Sequence, residues 1–537
     1  ELQDSAISFI LKKVEPDLDS PERQGTAFGF LKSIMFKHIM IPEIYDCMDV
    51  VSKLMVTSTT NEIRQVARSV FYSFLMEYDQ SRGRLEKQFK LIINNLKYPA
   101  QAGRLSVMEL MLTFVKKASK DLLSKLTVSF FIALANVSVT DDNPSCRESA
   151  TLILEALFVR LNENDSDMEF VYKYTTAWLS QNKKPLLVRC GLNVYKIFVS
   201  SIGFGINSGL DDLVLEIINR TLKSGQRVDE NDVEDEDEND TPASEWQMIY
   251  SCLSAFETIS AKTGVFTSKY EETWSYIIAT LLYPHSWIRL LASRLVSKLL
   301  KEQNVEFEVD DFTIQTIAYR TFRQLGAPNI SENLAKQSVE NLVEISKYWD
   351  SNQTKFILFS KEEVKADETE RQTFNNSFDW ALNRCAAILK NDSRDYKQLL
   401  VTKKAIISYC EFLTTFLSVE KMKEVLSETL MIPLLHISET EIEENENEEN
   451  ALPTLATECL SKLSKKIGIS DYNILLSNAM KIIQERRFER KTKRAQLALN
   501  KPDVAARKKL VKHAKFREKR RDNKDENGYY KPKRRKM

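Results

Sequence analysis

The sequence predicts an all-α protein, a solenoid of stacked helix pairs ending in a basic, partly helical C-terminal tail. Three observations carry this expectation: turn-forming residues are scarce, an arginine-headed helical run returns with a period near forty, and positive charge gathers at the C-terminal end. At 537 residues the chain exceeds the roughly 250–300 at which one hydrophobic core stops growing. It is therefore several domains or a repeat array.

The scarcity of turn formers excludes most sheet architectures. The chain holds 13 glycines and 13 prolines, where an average protein would have more than twice as many, about 12% of residues. Sheet-rich folds need a turn every ten residues or so, and such turns use Gly and Pro.

The repeat is visible as a short polar or Pro-containing turn, an Arg, and an amphipathic run. It occurs as Asn61-Glu-Ile-Arg64, Gln101-Ala-Gly-Arg104, Pro144-Ser-Cys-Arg147, Pro185-Leu-Leu-Val-Arg189 and Pro284-His-Ser-Trp-Ile-Arg289. The arginines lie 40, 43, 42 and then 100 residues apart. The long gap holds an acidic insert and one more helix pair around Trp246–Ile259. Paired helices at about 40–47 residues are the mark of HEAT and armadillo arrays, in which each unit buries its apolar face only against its neighbours. The arginine, on the first turn of the second helix, is placed to reach a carboxylate or loop carbonyl of the adjoining repeat. The residue three positions on is often small (Ala67, Ala150, Ala292), which suits close packing. Beyond Arg289 the pattern loosens into helical runs at Ser331–Trp349, Phe378–Lys390, Thr402–Leu417 and Pro453–Lys466.

Two acidic segments interrupt the array. Residues 229–240 carry nine acids in twelve positions and residues 439–450 carry seven in twelve. Such runs repel themselves and read as disordered loops. The organisation expected is thus an array over 1–228, an acidic loop at 229–240, a second and increasingly degenerate array over 241–438, an acidic loop at 439–450, capping helices over 451–484 and a basic tail over 485–537.

The tail is the chief chemical feature. Lys+Arg and Asp+Glu both total 76, yet residues 485–537 hold 22 basic and 7 acidic residues, which leaves the body acidic. A capped helix starts at Ser470-Asp471 and runs towards Leu499, with an apolar first half that caps the solenoid. Asn500-Lys501-Pro502 ends it. The basic residues Arg486, Arg487, Arg490, Lys491, Lys493, Arg494, Arg507, Lys508, Lys509, Lys512, Lys515 and Arg517 are expected to bind RNA phosphate with release of counterions. Engaging eight charges would give a log–log salt slope of about −6 to −7. Phe488, Phe516, Tyr529 and Tyr530 interleave them and can stack on unpaired bases. Lys531, Lys533, Arg534, Arg535 and Lys536 read as a nuclear localisation patch.

No catalytic constellation accompanies these features. The four histidines (His38, His285, His436, His513) are scattered, as packing or capping residues would be. The seven cysteines form no zinc pattern or disulfide framework and suit a reducing compartment. The six tryptophans fall at helical positions and are expected in the core. Gly203-Phe-Gly205 lacks the Lys-Ser/Thr of a phosphate loop. No cofactor, metal, small-molecule substrate or enzymatic activity is expected. No stretch of 18 uncharged apolar residues is present, Leu186–Gly205 coming nearest, so no membrane partner is expected. The chain opens at Glu1 without Met, which fits a portion of something longer.

Several patches resemble a known family. Arg23-Gln-Gly-Thr-Ala-Phe28 with Leu31-Lys32, Ile41-Pro-Glu-Ile-Tyr45, Asn95-Leu-Lys-Tyr-Pro99 with Gly103-Arg104, Arg490–Arg494, Asn500–Ala506 and Lys508-Lys509 are similar to the Down-Regulated-In-Metastasis family, also called U-three small nucleolar RNA-associated protein "twenty". The resemblance implies a C-terminal portion of a very large helical-repeat scaffold of the small-subunit processome in the nucleus and nucleolus. It also implies, as partners, pre-ribosomal RNA, the U-three snoRNP, ribosome assembly factors and small-subunit ribosomal proteins, in 18S rRNA maturation. A HEAT-repeat nuclear transport receptor or another nuclear protein-binding solenoid is the alternative, but a receptor of basic cargo gains nothing from a basic tail able to occupy its own acidic surface.

Overall fold

The computed structural model describes residues 3–81, 83–162, 165–181, 183–225, 243–263, 270–302, 309–327, 330–352, 374, 376–390, 396–426, 428–440 and 451–500, with 502, 506, 507, 510, 511 and 513 of the tail. Among these residues every element is a helix, as the shortage of turn formers predicts. The acidic segment 229–240 and residues 441–450 lie outside them. The chain divides into two compact units at Val309/Asp310.

Among its described residues unit 1 forms seven consecutive helix pairs: α1 (Asp4–Leu18) with α2 (Gln24–Phe36), α3 (Glu43–Thr57) with α4 (Asn61–Glu77), α5 (Arg84–Asn95) with α6 (Gln101–Lys117), α7 (Lys120–Thr140) with α8 (Pro144–Leu161), α9 (Asp165–Leu179) with α10 (Pro185–Ser201), α11 (Ser208–Gly225) with α12 (Ala243–Thr263), and α13 (Glu271–Ala279) with α14 (Ser286–Lys301). Each even-numbered helix packs on the next even-numbered one from α2 to α14, which is the stacking a solenoid core requires. The run Trp246–Ile259 is a single helix, α12; its partner α11 precedes the acidic segment.

Local chemistry sets the helix starts. Asn143 caps α8 by accepting from the Ser145 and Cys146 N–H groups at 2.9 and 3.4 Å, with Pro144 at the first helical position. His285 caps α14, its Nδ1 accepting from the Trp287 N–H at 3.3 Å, so this histidine is the capping residue its isolation predicts. Arg64, Arg104, Arg147, Arg189 and Arg289 all lie in the first turns of even-numbered helices, with Ala67, Ala150 and Ala292 fully buried behind them.

The arginines' partners differ from expectation. Arg64 donates to the Ser58 and Thr59 carbonyls at 2.7 and 3.0 Å, Arg104 to Tyr98 and Pro99 at 3.0 and 2.9 Å, and Arg147 to Asp141 and Asp142 at 2.7 and 3.1 Å. These are turn carbonyls of the arginine's own pair. A side chain rooted one turn into a helix reaches the connection just before it more readily than the next repeat. Arg104, through Asp141 and Asp142, and Arg189, through Gln247 at 2.5 Å, extend to the next pair.

The apolar content is used inside. Helix α7 is long and apolar enough to cross a membrane, where the sequence reading had singled out Leu186–Gly205. In the structure α7 packs on α8 and α10, burying Leu123, Leu126, Phe130, Phe131, Leu134 and Ala135. All seven cysteines are buried and unbridged. Of the tryptophans, Trp274, Trp349 and Trp380 are core, but Trp287 is 59% exposed and meets Trp246 edge-on at 5.6 Å. That exposure corrects the core assignment for this residue.

Unit 2 contains α15 (Asp311–Gly326), α16 (Glu332–Asn352), α17 (Ser377–Lys390), α18 (Tyr396–Phe416), α19 (Val419–Val425), α20 (Glu428–Ser438), α21 (Leu452–Ile467) and α22 (Ile469–Asn500). Trp380 anchors it, edge-on to Phe322 at 5.4 Å and to Trp349 at 6.4 Å. Helices α15, α19 and α20 add to the runs read from sequence.

Candidate nucleic-acid interface

The tail begins as part of the fold. Gly468, at φ +89°, turns the chain between α21 and α22, and its carbonyl accepts the Tyr472 N–H at 3.0 Å. The helix thus starts at Ile469, just before the Ser470-Asp471 start read from sequence. Its first half lies on α20 and α21. Ala479 is buried there, Asn478 donates to Glu428 at 3.2 Å, and Asp471 pairs with Lys423 at 2.6 Å. The docking is partial: Ile474 and Met480 remain exposed.

From Glu485 onward the helix carries charge rather than core. Arg486, Arg487, Arg490, Lys491 and Lys493 are all exposed on its surface. Positions 486, 490 and 493 share one face by their spacing, and 487 and 491 the flank beside it. Arg494 lies in the same helix, which ends at Asn500 as Asn500-Lys501-Pro502 predicts. Phe488 is 70% exposed among these cations. The internal neutralisation seen is the exposed Lys493–Glu489 pair at 3.5 Å, which is worth a few tenths of a kcal/mol at most. Arg507 is exposed. Lys508, Lys509, Lys512, Lys515, Arg517 and Lys531, Lys533, Arg534, Arg535 and Lys536 lie outside the described residues, as do Phe516, Tyr529 and Tyr530.

The structure adds a residue that sequence reading missed. Lys390, the last residue of α17, is held below the ordinary lysine range by burial and then by the Arg486 guanidinium. Two cations from distant parts of the chain therefore lie close enough to repel one another. Nothing around Lys390 in the sequence announces this, because the proximity arises only from the fold. Among the described residues no group of His, Cys, Asp and Glu is placed to hold a metal. Chemically, the arrangement offers a row of fixed cations and one open aromatic ring, the elements of phosphate contact and base stacking.

Comparison with known proteins bears on what such a row serves. A family model described as "Small subunit processome component 20 homolog, C-terminal" matches residues 243–526, over half of the chain. The U3 small nucleolar RNA-associated protein 20 of Saccharomyces cerevisiae is 41% identical over 534 residues, 98% of this chain and 20% of that protein. Its namesake in Schizosaccharomyces pombe is 27% identical over 526 residues, 95% of this chain and 20% of that one. The chain thus spans about a fifth of the length of the curated relatives it matches. Among solved structures, the karyopherin Kap121p bound to Pho4p aligns with a TM-score of 0.48 at 12% identity, covering 94% of this chain and 45% of that chain.

Proposed function

The chain belongs to the family of small subunit processome component 20 homologues, within its C-terminal region, and from that membership we propose that it is a structural scaffold of the small-subunit processome. In this reading the helix pairs hold assembly factors and pre-ribosomal RNA around the U3 small nucleolar RNA during 18S rRNA maturation, in the nucleolus. The basic half of α22 and the residues after it touch RNA, while Lys531, Lys533, Arg534, Arg535 and Lys536 serve as a nuclear address. The observation that carries the RNA contact is the exposed row Arg486, Arg487, Arg490, Lys491 and Lys493 around open Phe488. A helix so charged gains most from a polyanion that displaces its counterions.

The test is crosslinking with sequencing of bound RNA in growing cells, comparing the intact chain with one in which those five residues are glutamine. Crosslinks concentrated in pre-ribosomal RNA and reduced by the substitutions support both particle and tail. Crosslinks that persist undiminished remove the tail's RNA role. No enrichment of ribosomal precursor sinks the scaffold reading in favour of a transport receptor.

A further inference from the structure

We propose that unit 1 carries a second phosphate-binding surface, at the edge where α5, α6 and α7 meet, and that it docks the backbone of double-helical RNA. The body as a whole is acidic, yet residues 84–125 hold nine basic residues against three acidic ones. The fold brings the exposed members together. Phe89 of α5 packs on Phe114 of α6 at 5.2 Å and on Phe130 of α7 at 5.9 Å. This sets α5 antiparallel to α6, so the start of α5, the end of α6 and the start of α7 share one edge. Arg84, Lys87, Lys90, Lys116, Lys117 and Lys120 are all exposed there.

Ordinary helix electrostatics accounts for only part of this cluster. Lys116 and Lys117 sit in the last turn of α6, where cations complement the helix dipole. Arg84 and Lys87 occupy the first turn of α5, where that dipole disfavours them. Arg84 is also positioned: its guanidinium stacks 3.9 Å from the Tyr45 ring, and Tyr45 in turn donates to the Asp79 carbonyl at 3.0 Å. Of the three acids, Glu109 is tied to Arg68, leaving Glu86 and Asp121 against Arg84, Lys87, Lys90, Lys116 and Lys117, while Lys120 makes an interaction of its own and Glu169 lines the adjoining cleft. The surface continues into a cleft of about 470 Å³ between α7 and α9, lined by Lys120, Ser124, Thr127, Arg160, Glu169 and Lys173 among others. Arg160 is anchored at its mouth by the Val115 and Ala118 carbonyls.

The ligand class follows from what the edge offers and lacks. The edge offers a row of exposed cations, Arg84, Lys87 and Lys90 at every third residue of α5 and about 4.5 Å apart along its axis, which meets phosphate charge rather than base edges. The α5 helix, the last turn of α6 and the first turn of α7 expose no aromatic ring, and Phe170, which lines the cleft, is half-buried and packs edge-on with Phe131 at 5.6 Å, so unpaired bases find no open stacking platform, whereas a duplex is held by shape and phosphate alone.

The experiment measures affinity for a short RNA duplex of generic sequence, and for a single strand of equal length, across a salt series with the full chain. One variant carries Lys116→Glu, Lys117→Glu and Lys120→Glu, a second Lys87→Glu and Lys90→Glu, and a third the five glutamine substitutions in α22. All sites are exposed, and the second variant suits the α5 dipole, so a fold defect common to the first two is not expected; helicity by circular dichroism checks it. Each of the first two variants is expected to weaken duplex binding about tenfold and to flatten the log–log salt slope, by about 2.7 for three lost cations and about 1.8 for two, while single-strand binding falls only in the third. Unchanged duplex affinity and slope in both overturns the proposal. Loss of poly-glutamate binding with duplex binding intact also overturns it, assigning the surface to an acidic protein. Because the readout is direct binding, it does not depend on whether the chain is found on pre-ribosomal RNA in cells.

Discussion

The Arg104 guanidinium and the Asp141 carboxylate meet at 2.9 Å between consecutive helix pairs, with side chains only 8% and 6% exposed. The same guanidinium holds Asp142 at 2.7 Å, while Asp141 also accepts the Asn143 N–H at 2.9 Å. Truncating Arg104 leaves the buried Asp141 carboxylate without its counter-charge, whereas truncating Asp141 leaves Arg104 still paired with Asp142. Arg104→Ala is expected to cost about 3–5 kcal/mol and Asp141→Ala less, read as lowered denaturation midpoints. The double variant should lose clearly less than the sum of the two.

Acid should expose the same contact. Burial alone would raise the Asp141 carboxyl, but the Asn143 N–H and the Arg104 guanidinium outweigh it and hold the carboxyl below its usual range. A depressed folded value contributes stability above the unfolded value of about 3.9, and that stability is lost as pH falls through the folded value. Melting temperature should therefore drop below about pH 4, and less steeply in Asp141→Asn; equal slopes would show that this carboxylate is not what acid titrates.

At Gly103 the backbone of α6 passes close against α3. A Cβ there would stand 2.6 Å from the Val56 carbonyl oxygen and 2.5 Å from Tyr98 Cδ1. Helix propensity favours Gly→Ala by about 1 kcal/mol, but the carbonyl is backbone and cannot swing aside. Gly103→Ala should be net destabilising by about 1–3 kcal/mol, whereas Gly29→Ala, which meets nothing within 4 Å, should not be. Equal melting temperatures for the two variants would refute this account.

Tyr195 donates to Asp211 at 2.7 Å, both buried, and Asp211 also accepts the Gly205 N–H at 3.1 Å. Burial, and then the carboxylate, push the phenol well above its ordinary range. Its folded value being the higher one, the stability it contributes is present below about pH 10 and lost above it. Tyr195→Phe should cost about 1–3 kcal/mol at neutral pH by leaving Asp211 short of a donor, with a smaller loss of stability on going alkaline.

The thiols give a simple check of the core. Burial raises Cys47 and Cys252 to about 12 and Cys190 to about 11, so at pH 8 they are protonated and unreactive. A thiol reagent should find no fast-reacting cysteine in the native chain and seven after denaturation.

What the sequence made legible follows the range of the forces involved. The repeat is legible because Arg64, Arg104 and Arg147 do a local task, tying a turn to the helix after it, and local tasks leave fixed spacings. In unit 2 no such marker recurs, so α15, α19 and α20 went unseen. Lys390 beside Arg486, the exposure of Trp287, and the edge shared by α5, α6 and α7 were illegible for a further reason: each depends on which helix faces are covered, and that is settled only when the pairs stack. The basic tail was legible because its signal is compositional, yet its anchored first half needed Asn478–Glu428 and Asp471–Lys423 to be seen.

The turn-closing arginines also bear on how unit 1 takes up load. Arg64 and Arg147 keep their guanidinium bonds within one pair and stiffen the elbow, while other side chains pin the joints beyond them, Arg68 to Ser106 at 2.9 Å and Asn193 to Ser138 at 2.9 Å. Between α6 and the turn before α8 the second nitrogen of Arg104 crosses the joint and locks it with a buried charge pair. Unit 1 is therefore a row of stiffened links whose joints are pinned by different chemistry, and salt or acid would loosen them unequally.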